Sequence, residues 1–590
     1  MTHISNDPAD FADEALAGFC DLYAPLVRQV EGGAVRRSRA GRPKVAVLLG
    51  GGSGHYPAFA GLIGAGFADG AVVGNIFTSP SARQAAAVAR EAHSGAGVVF
   101  AYGNYAGDVM NFGVATERLR SEGIDAENVI VTDDVASAPP AERDRRRGIA
   151  GDFTVFKVMG AAAEEGADLS EVVRLGRKAN DFTRTLGTAF AGCTFPGADR
   201  ALFSLPEGTM GLGLGIHGEP GLDDIPLPSA EEMGRTLVER VLEERPDGAG
   251  FRVAVILNGL GRTKAEELFV LWRTVAPLLR ENGLEPVAPE VGELVTSLDM
   301  AGVSLTLMWL DDELERLWLA PTETPAFSRG RVSVGASGTD PVSAPEPSPA
   351  EEEGRAAVRA SSPSATSSSA TDASRSYASS CLEALTAAQR TLHELEPRLG
   401  ALDAIAGDGD HGRGMVRGVD AAVSAAHDAA ERGSGAGSLL AEAGDAWADK
   451  AGGTSGVLWG AGLRAWGQAW GDERVPDDEA VVTGVEAFAE RILALGGAQI
   501  GDKTLVDALL PFASELRSAV VRGTPLAQAW ASAAGAAAAA AQGTAELRPQ
   551  KGRARPLAEK SLGTPDPGAV SLAAVFAAMG AAFDSHVRAV

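Results

Sequence analysis

The sequence predicts a two-part protein: a two-lobed α/β domain over residues 1–328, then an all-α domain over residues 377–590. Three observations carry this expectation. Short β-rich runs alternate with Ala-rich helical stretches in the first part. Strand signal almost vanishes in the last two hundred or so residues. Between the two, from 329 to 376, the composition turns abruptly to Ser, Ala, Pro, Glu and Gly. That stretch has too few large apolar residues to offset its ordering entropy and reads as a flexible linker. A chain of 590 residues also exceeds what one core usually supports.

In chain order, the strand candidates of the first part are Val45–Leu49, Val98–Ala101, Val129–Val131, Val253–Leu257 and Val303–Leu310. The second strand-then-glycine passage, Val253 to Gly261, echoes the first at Val45 to Gly54, and this is what suggests two lobes. No close sequence repeat accompanies the echo. In the second part, Cys381–Leu399, Leu439–Lys450, Val485–Leu495, Leu505–Val521 and Leu526–Gln542 carry apolar residues at helical spacing. The Gly- and Asp-rich segments fall between these helices, as connections serving one end of a bundle.

Composition narrows the function. A formal charge of −26 argues against nucleic-acid and anionic-membrane partners, which need a basic face. An acidic protein that handles a nucleotide must neutralise phosphates locally, with Mg²⁺ and backbone N–H groups. Three scattered cysteines, Cys20, Cys193 and Cys381, point to a reducing compartment and no disulfide framework. No secretory signal is visible at the N-terminus, so a cytoplasmic location is expected. The alanine run Ala533–Ala541 reads as a small-residue helix packed on its neighbours rather than a membrane span.

Among eight histidines, His55, His217 and His411 sit beside glycines in loops, where a ligand can approach the ring closely. The bland alternative is a turn histidine bonded to backbone. Asp108 follows the Val98–Ala101 run, at the strand end that faces the crevice in α/β sheets; an N-cap for a helix beginning near Val109 explains it as well. Asp133 and Asp134 carry the same ambiguity and read as structural. Asp403, Asp408 and Asp410, interleaved with Gly407 and Gly409, gather hard oxygen ligands that favour Mg²⁺ or Ca²⁺ over Zn²⁺. An EF-hand fails because no Glu stands at its last position; two Mg²⁺ bridged by phosphates fit better. Gly452 to Gly456 offers hydroxyls and N–H groups before an apolar helix, a phosphate cradle without a P-loop lysine. The chemistry of Gly501–Leu505 and Pro565–Gly568 is not assignable from residue types alone.

In this order the motifs resemble the dihydroxyacetone kinase family, in its single-chain ATP-dependent form. Gly50-Gly-Gly-Ser-Gly-His55, Gly74 to Ser81, Asn104 to Phe112, Gly215-Ile-His-Gly-Glu219 and Thr296 to Gly302 are similar to its ketose-binding domain. Asp403 to Gly412, Gly452 to Gly456, Gly501 to Thr504 and Asp566 to Ala569 are similar to its nucleotide-binding domain, an α-helical barrel. The resemblance implies that His217 adds to the substrate carbonyl as a hemiaminal, which selects short open-chain ketoses. It implies that Asp108 orients and deprotonates a terminal hydroxyl and that His55 serves as neighbouring acid/base, with Gly52, Ser53 and Gly54 lining the pocket. By the same matching, Asp403, Asp408 and Asp410 hold two Mg²⁺ that clamp ATP. His411, Gly412, Arg413, Gly414, Thr454, Ser455, Gly501, Arg553, Asp566, Pro567 and Gly568 contact the nucleotide. A homodimer with crossed domains is also implied.

One departure stands out. Family members acting on dihydroxyacetone usually carry a lysine where this chain has Gly103, and the Gly103-Asn-Tyr-Ala-Gly-Asp108 form, with Arg146 to Asp152 downstream, resembles the erythrulose kinase branch. The expected substrate is therefore a four-carbon ketose, D-erythrulose first, with L-erythrulose and dihydroxyacetone as alternatives. An FMN cyclase side activity, a non-catalytic ketose-binding regulator and a phosphoprotein-fed phosphotransferase are the rival readings.

Overall fold

Ala46–Ser53 sets the frame of the first lobe. Its residues from Ala46 to Gly52 are buried on both faces, the mark of a central parallel strand covered by helices. The computed structural model describes residues 4–38, 42–330, 370–407, 409–552 and 558–587. Strands β1 (Val27–Val30), β2 (Gly33–Arg36), β3 (Ala46–Ser53), β4 (Gly70–Ile76), β5 (Val98–Gly103) and β6 (Ala126–Val131) form a sheet in the order β1-β2-β4-β3-β5-β6. β4, β3, β5 and β6 run parallel, so helices must cross between them. Helix α1 (Phe11–Leu22) covers the β1 edge, while α2 (Ala82–Ala92) and α3 (Ala106–Ser121) follow β4 and β5. Ser81 starts α2 with a capping box, taking a hydrogen bond from Gln84 N at 3.2 Å and giving its own N–H to Gln84 Oε1 at 2.8 Å. Helices α4 (Asp152–Glu165) and α5 (Leu169–Asp181) then lead out of this sheet.

The second lobe is a mainly antiparallel sheet of β7 (Thr183–Ala191), β8 (Thr209–Leu212), β9 (Asp223–Pro226), β10 (Arg252–Gly259), β11 (Glu285–Pro286), β12 (Glu290–Gly292) and β13 (Ala301–Trp309). Their order is β11-β10-β13-β7-β8-β9, with β12 also on β10. Helices α6 (Ala230–Leu242) and α7 (Ala265–Glu281) bury their apolar stripes on it through Leu237, Val241, Leu271 and Val275. All five strand candidates fall in strands, namely β3, β5, β6, β10 and β13, and the two-lobed α/β expectation holds.

The region 331–369, most of the expected linker, lies outside the described residues. Its C-terminal border differs from the expectation. The first helix of the second domain, Asp372–Asp403, begins five residues before 377, with Thr371 Oγ1 accepting from Ser374 N at 3.2 Å. The Ser, Thr and Asp residues that read as linker composition are here helix-start chemistry.

From Asp372 onward the described residues form helices and turns with no strand. Helices Ala436–Ala451 and Gly453–Trp470 pack closely because glycines meet backbone: Gly444 lies against Gly460 and Gly437 against Gly467. The core is aromatic. Trp447 stacks on Trp459 at 5.0 Å, and Trp466, Phe488, Phe512, Trp530 and Phe576 interlock edge to face. In the helix Leu526–Gly543, Ala533, Ala537 and Ala541 recur every four residues and are buried, as a packed small-residue helix requires. Among the described residues no helix is long and apolar enough to cross a membrane.

Candidate active site

The ketose half is built where β3 runs out. A Cβ on Gly52 would lie 2.5 Å from the Thr78 amide nitrogen, so only glycine lets this strand pass the Phe77–Thr78 turn. Gly54 then turns with φ +104° and places His55 in the interior, 2% exposed. The His55 ring stacks on Phe77 at 5.0 Å. Its Nδ1 faces the Thr296 carbonyl oxygen at 2.8 Å; a carbonyl only accepts, so Nδ1 carries the hydrogen. His217, in the loop after β8, gives Nδ1–H to Glu219 Oε1 at 3.0 Å, while its backbone N–H donates to Glu219 Oε2 at 2.9 Å.

Both Nδ1 atoms are thus committed as donors, and the two Nε2 atoms face each other at 3.1 Å. Two bare lone pairs would repel at that distance. One proton held between the rings satisfies the contact, with Glu219 as counter-charge. Burial alone would raise the Glu219 carboxyl, but His217 and Arg147 outweigh it and hold the group well below the usual carboxylate range. With Nδ1–H held by the carboxylate, Nε2 is the His217 nitrogen left to take or release the shared proton.

Burial, with His217 second, pulls the His55 pKa from 6.5 down to about 3. The native ring stays neutral where an unfolded imidazole takes up a proton. Within that window the unfolded chain binds more protons at this position. The His55 contribution to stability is therefore complete above pH 6.5 and is lost as pH falls, at about 1.4 kcal/mol per pH unit. In urea unfolding from about pH 7.5 to 4.5, the wild type should lose stability relative to His55→Gln as pH drops. A difference that stays constant with pH would contradict this placement.

Asp108 is buried in the first turn of α3 and lines the cavity. It is not the N-cap, because the helix begins at Ala106 with Tyr105 in the cap position. Asp133 is structural as expected: it accepts from Ile149 N at 2.9 Å and Gly151 N at 2.7 Å. Asp134 accepts from Ala136 N at 3.1 Å and pairs with Arg147 at 2.7 Å.

The nucleotide half gathers at helix ends. Asp403 closes the helix Asp372–Asp403, and Asp410 precedes the helix His411–Glu431, whose first N–H donates to Asp403 Oδ2 at 3.3 Å. Burial, then the charge of Asp403, raises the Asp410 pKa. Two half-buried carboxylates on one cavity wall, one destabilised by the other, suit a divalent cation with oxygen ligands. His411 bridges two hydroxyls, Ser571 Oγ at 3.0 Å and Ser455 Oγ at 3.4 Å. Thr454 and Ser455 lie in the first turn of Gly453–Trp470. Asp566 caps the helix Pro567–Val587, accepting from Ala569 N at 2.7 Å, and burial raises its carboxyl to about 7. Three helix N-termini therefore border the same cavity, a setting suited to phosphates.

The two halves share one cavity of about 890 Å³. Its walls include Gly52, His55, Asp108 and His217 from one domain and Asp403, Asp410, His411, Gly414, Thr454, Ser455, Asp566, Pro567 and Gly568 from the other. The approach is close: a Cβ on Gly107, beside Asp108, would lie 3.5 Å from Thr454 N. Ser81 Oγ donates to Asp449 Oδ1 at 2.8 Å and Arg491 pairs with Glu117 at 3.2 Å across the same junction. The two domains thus meet at this cavity.

Several expected contacts are not brought to it. Ser53 Oγ is spent on the Gly74 carbonyl at 2.6 Å, and Gly54 serves the turn. Successive helix residues are rotated by about 100°, so with His411 facing inward, Gly412 packs on the Glu396 carbonyl and Arg413 emerges exposed, while Gly414 returns to the wall. Gly501 gives its N–H to Asp507 Oδ1 at 2.6 Å, and Thr504 N donates to the other oxygen at 2.7 Å, a loop clamp. Asp408 and Arg553 lie outside the described residues. Sequence reasoning gave no role to Glu219, Tyr105, Arg147 and Thr296, although all four lie in motifs that carry the resemblance, nor to Ser571, which lies in none.

Residues 17–326 match the family described as the Dak1 domain and residues 405–581 the DAK2 domain. The chain is 56% identical to the D-erythrulose kinase of Mycolicibacterium smegmatis, over 97% of each chain. It is 52% identical to the L-erythrulose kinase of Pectobacterium atrosepticum, over 99% of this chain and 97% of that one. The crystal structure of the dihydroxyacetone kinase from C. freundii in complex with AMP-PNP and Mg²⁺ is 30% identical with a TM-score of 0.50, covering 98% of this chain and 99% of that chain. With an α/β Dak1 domain and an all-helical DAK2 domain joined in one polypeptide, the chain belongs to the single-chain dihydroxyacetone kinase family.

Proposed function

We propose that this chain is an ATP-dependent kinase that phosphorylates a terminal hydroxyl of a short-chain ketose, D-erythrulose foremost. The observation that carries it is the shared cavity, in which the start of α3 bearing Asp108 abuts the Gly452–Ser455 phosphate loop. His217 Nε2 attacks the ketone carbon, forming a C–N bond. The carbonyl π electrons move to oxygen, which takes the proton held between His55 and His217. The result is a hemiaminal whose imidazole ring carries the positive charge, balanced by the Glu219 carboxylate, and it fixes the sugar through its open-chain form. Asp108 accepts the proton of the terminal hydroxyl as that oxygen attacks the γ-phosphorus, and ADP leaves.

Asp403 and Asp410, with Asp408 as a further candidate, are the residues that would hold Mg²⁺; when bound, it neutralises the charge on the phosphate oxygens. His411, Thr454, Ser455, Gly568 and the helix N-termini supply donors to the triphosphate. A ketose-binding regulator would have no use for this second set of groups. We also propose a cytoplasmic homodimer; the three described cysteines are free and buried, in keeping with a reducing compartment, and light scattering tests the dimer.

The four-carbon preference rests on Gly103 and on the names of the relatives. Gly103 ends β5 with a Cβ position 3.1 Å from the Gly148 carbonyl and 3.2 Å from the Tyr105 ring, so a long side chain there would fill the pocket beside Tyr105. Coupled-assay kinetics with ATP and Mg²⁺ should give a higher kcat/KM for D-erythrulose than for L-erythrulose or dihydroxyacetone. Dihydroxyacetone ahead by tenfold, about 1.4 kcal/mol of transition-state preference, would retire that choice.

A further inference from the structure

Two polar atoms in the cavity wall are used neither by the hemiaminal nor by phosphoryl transfer. Tyr105 sits edge-on to the His217 ring with centroids 4.7 Å apart, and its hydroxyl is buried without a partner among the described residues. Asp152, the first residue of α4, is 3% exposed, lines the same cavity, and its Oδ1 likewise lacks a partner among the described residues. A buried polar atom left unpaired costs about 1–3 kcal/mol, and two of them in residues that line one cavity ask what they are kept for.

The surroundings show that this position is fixed and cleared. Asp133 clamps the loop before α4 through Ile149 N and Gly151 N, which sets where Asp152 begins its helix. Gly103 and Gly148 meet backbone to backbone: a Cβ on Gly148 would lie 2.4 Å from Gly103 Cα and 2.9 Å from Asp152 Oδ1. The wall between Tyr105 and Asp152 therefore carries no side chain. Burial first, then the charges of Asp133 and Asp108, hold the Asp152 carboxyl well above the usual range. Burial does the same for the Tyr105 phenol. In its protonated form each offers an O–H to donate and oxygen lone pairs to accept.

We propose that Tyr105 and Asp152 form a subsite that hydrogen-bonds the one hydroxyl by which a four-carbon ketose exceeds a three-carbon one. This rests on the ketose kinase reading and extends it to substrate choice. A three-carbon substrate leaves both groups unsatisfied, and a site built around a hydroxyl discriminates strongly against an analogue that lacks it.

The test uses the full-length protein with D-erythrulose, L-erythrulose and dihydroxyacetone. Asp152→Ala should lower the ratio of kcat/KM for the preferred erythrulose to that for dihydroxyacetone by about 10- to 100-fold. Tyr105→Phe, which removes only the hydroxyl, should lower it by about 5- to 20-fold. Asp152→Asn keeps a donor and an acceptor and should restore the ratio to within about threefold of wild type. Losses of equal size on both substrates, or none, would overturn the subsite. Ligand-induced shifts in melting temperature are read in parallel, without ATP. Should the wild type lack kinase turnover, the proposed function falls, while the subsite still stands or falls on whether Asp152→Ala removes the erythrulose shift selectively.

Discussion

Replacing His217 with alanine is expected to reduce kcat/KM for the ketose by on the order of 10⁴-fold or more. The loss combines two effects. A covalent tether fixes the terminal hydroxyl against the phosphate loop, and such fixation alone supplies large effective concentrations. The tether also removes the requirement that binding energy hold a small, well-hydrated sugar. The geometry singles out the nitrogen involved, because His217 Nδ1 is tied to Glu219 and only Nε2 faces His55 and the cavity. With ketose labelled at the carbonyl carbon, the wild-type protein should move that ¹³C resonance from the carbonyl to the tetrahedral region, and His217→Ala should not. Glu219→Gln keeps the shape but removes the charge that balances the shared proton. It should cost about 10- to 100-fold, mostly in kcat, as losses of a group that orients a histidine generally do. A His217→Ala protein with unaltered turnover, or a tetrahedral signal that survives in it, would dismantle the mechanism.

How far the sequence foretold this site depends on the range over which each feature is decided. Strand cores such as Ala46–Leu49 and Val253–Leu257 were legible because burial on both faces leaves a continuous apolar run. The glycine loops were legible because few residues tolerate a passage as tight as Gly52 past Thr78. Roles set by a neighbour distant in sequence were not. His55 owes its tautomer to Thr296, and His411 reaches Ser571; no local pattern reports either pairing. Asp108 could be read as cap or catalyst until the helix start was known, since a shift of three residues separates the two. Arg413 was carried along by its motif, but helical rotation turns it outward while its neighbour Gly414 stays at the wall. Asp152 closed a motif whose meaning was unassigned, and only burial without a partner drew notice to it.

Removing divalent cations is expected to abolish phosphorylation, by at least about 10³-fold, while leaving the ketose attached to His217. The electrostatics decide this. The nucleotide half offers the triphosphate a wall containing Asp403 and Asp410, in a protein of formal charge −26. At an effective dielectric constant near 20, each carboxylate–phosphate pair about 4 Å apart costs about 4 kcal/mol. The described cations near the site offset this only in part: Arg413 and Lys551 are exposed, Arg417 acts on Asp410, and Lys503 Nζ is engaged by the Leu547 and Ser561 carbonyls at 3.2 and 2.7 Å. Helix N-termini carry only about half a charge each. A cation shared by the carboxylates and the phosphates turns this repulsion into attraction, so its loss should weaken ATP binding as well as the transfer step. A chelator should therefore eliminate turnover, Mg²⁺ should restore it, and Asp403→Asn or Asp410→Asn should raise the Mg²⁺ needed for half-maximal rate. The ¹³C signal of the tethered ketose should persist throughout, because the two carboxylates belong to the other domain. Turnover that continued in the chelator would remove Asp403 and Asp410 from catalysis, and a ketose signal lost together with turnover would show that the two halves do not act independently.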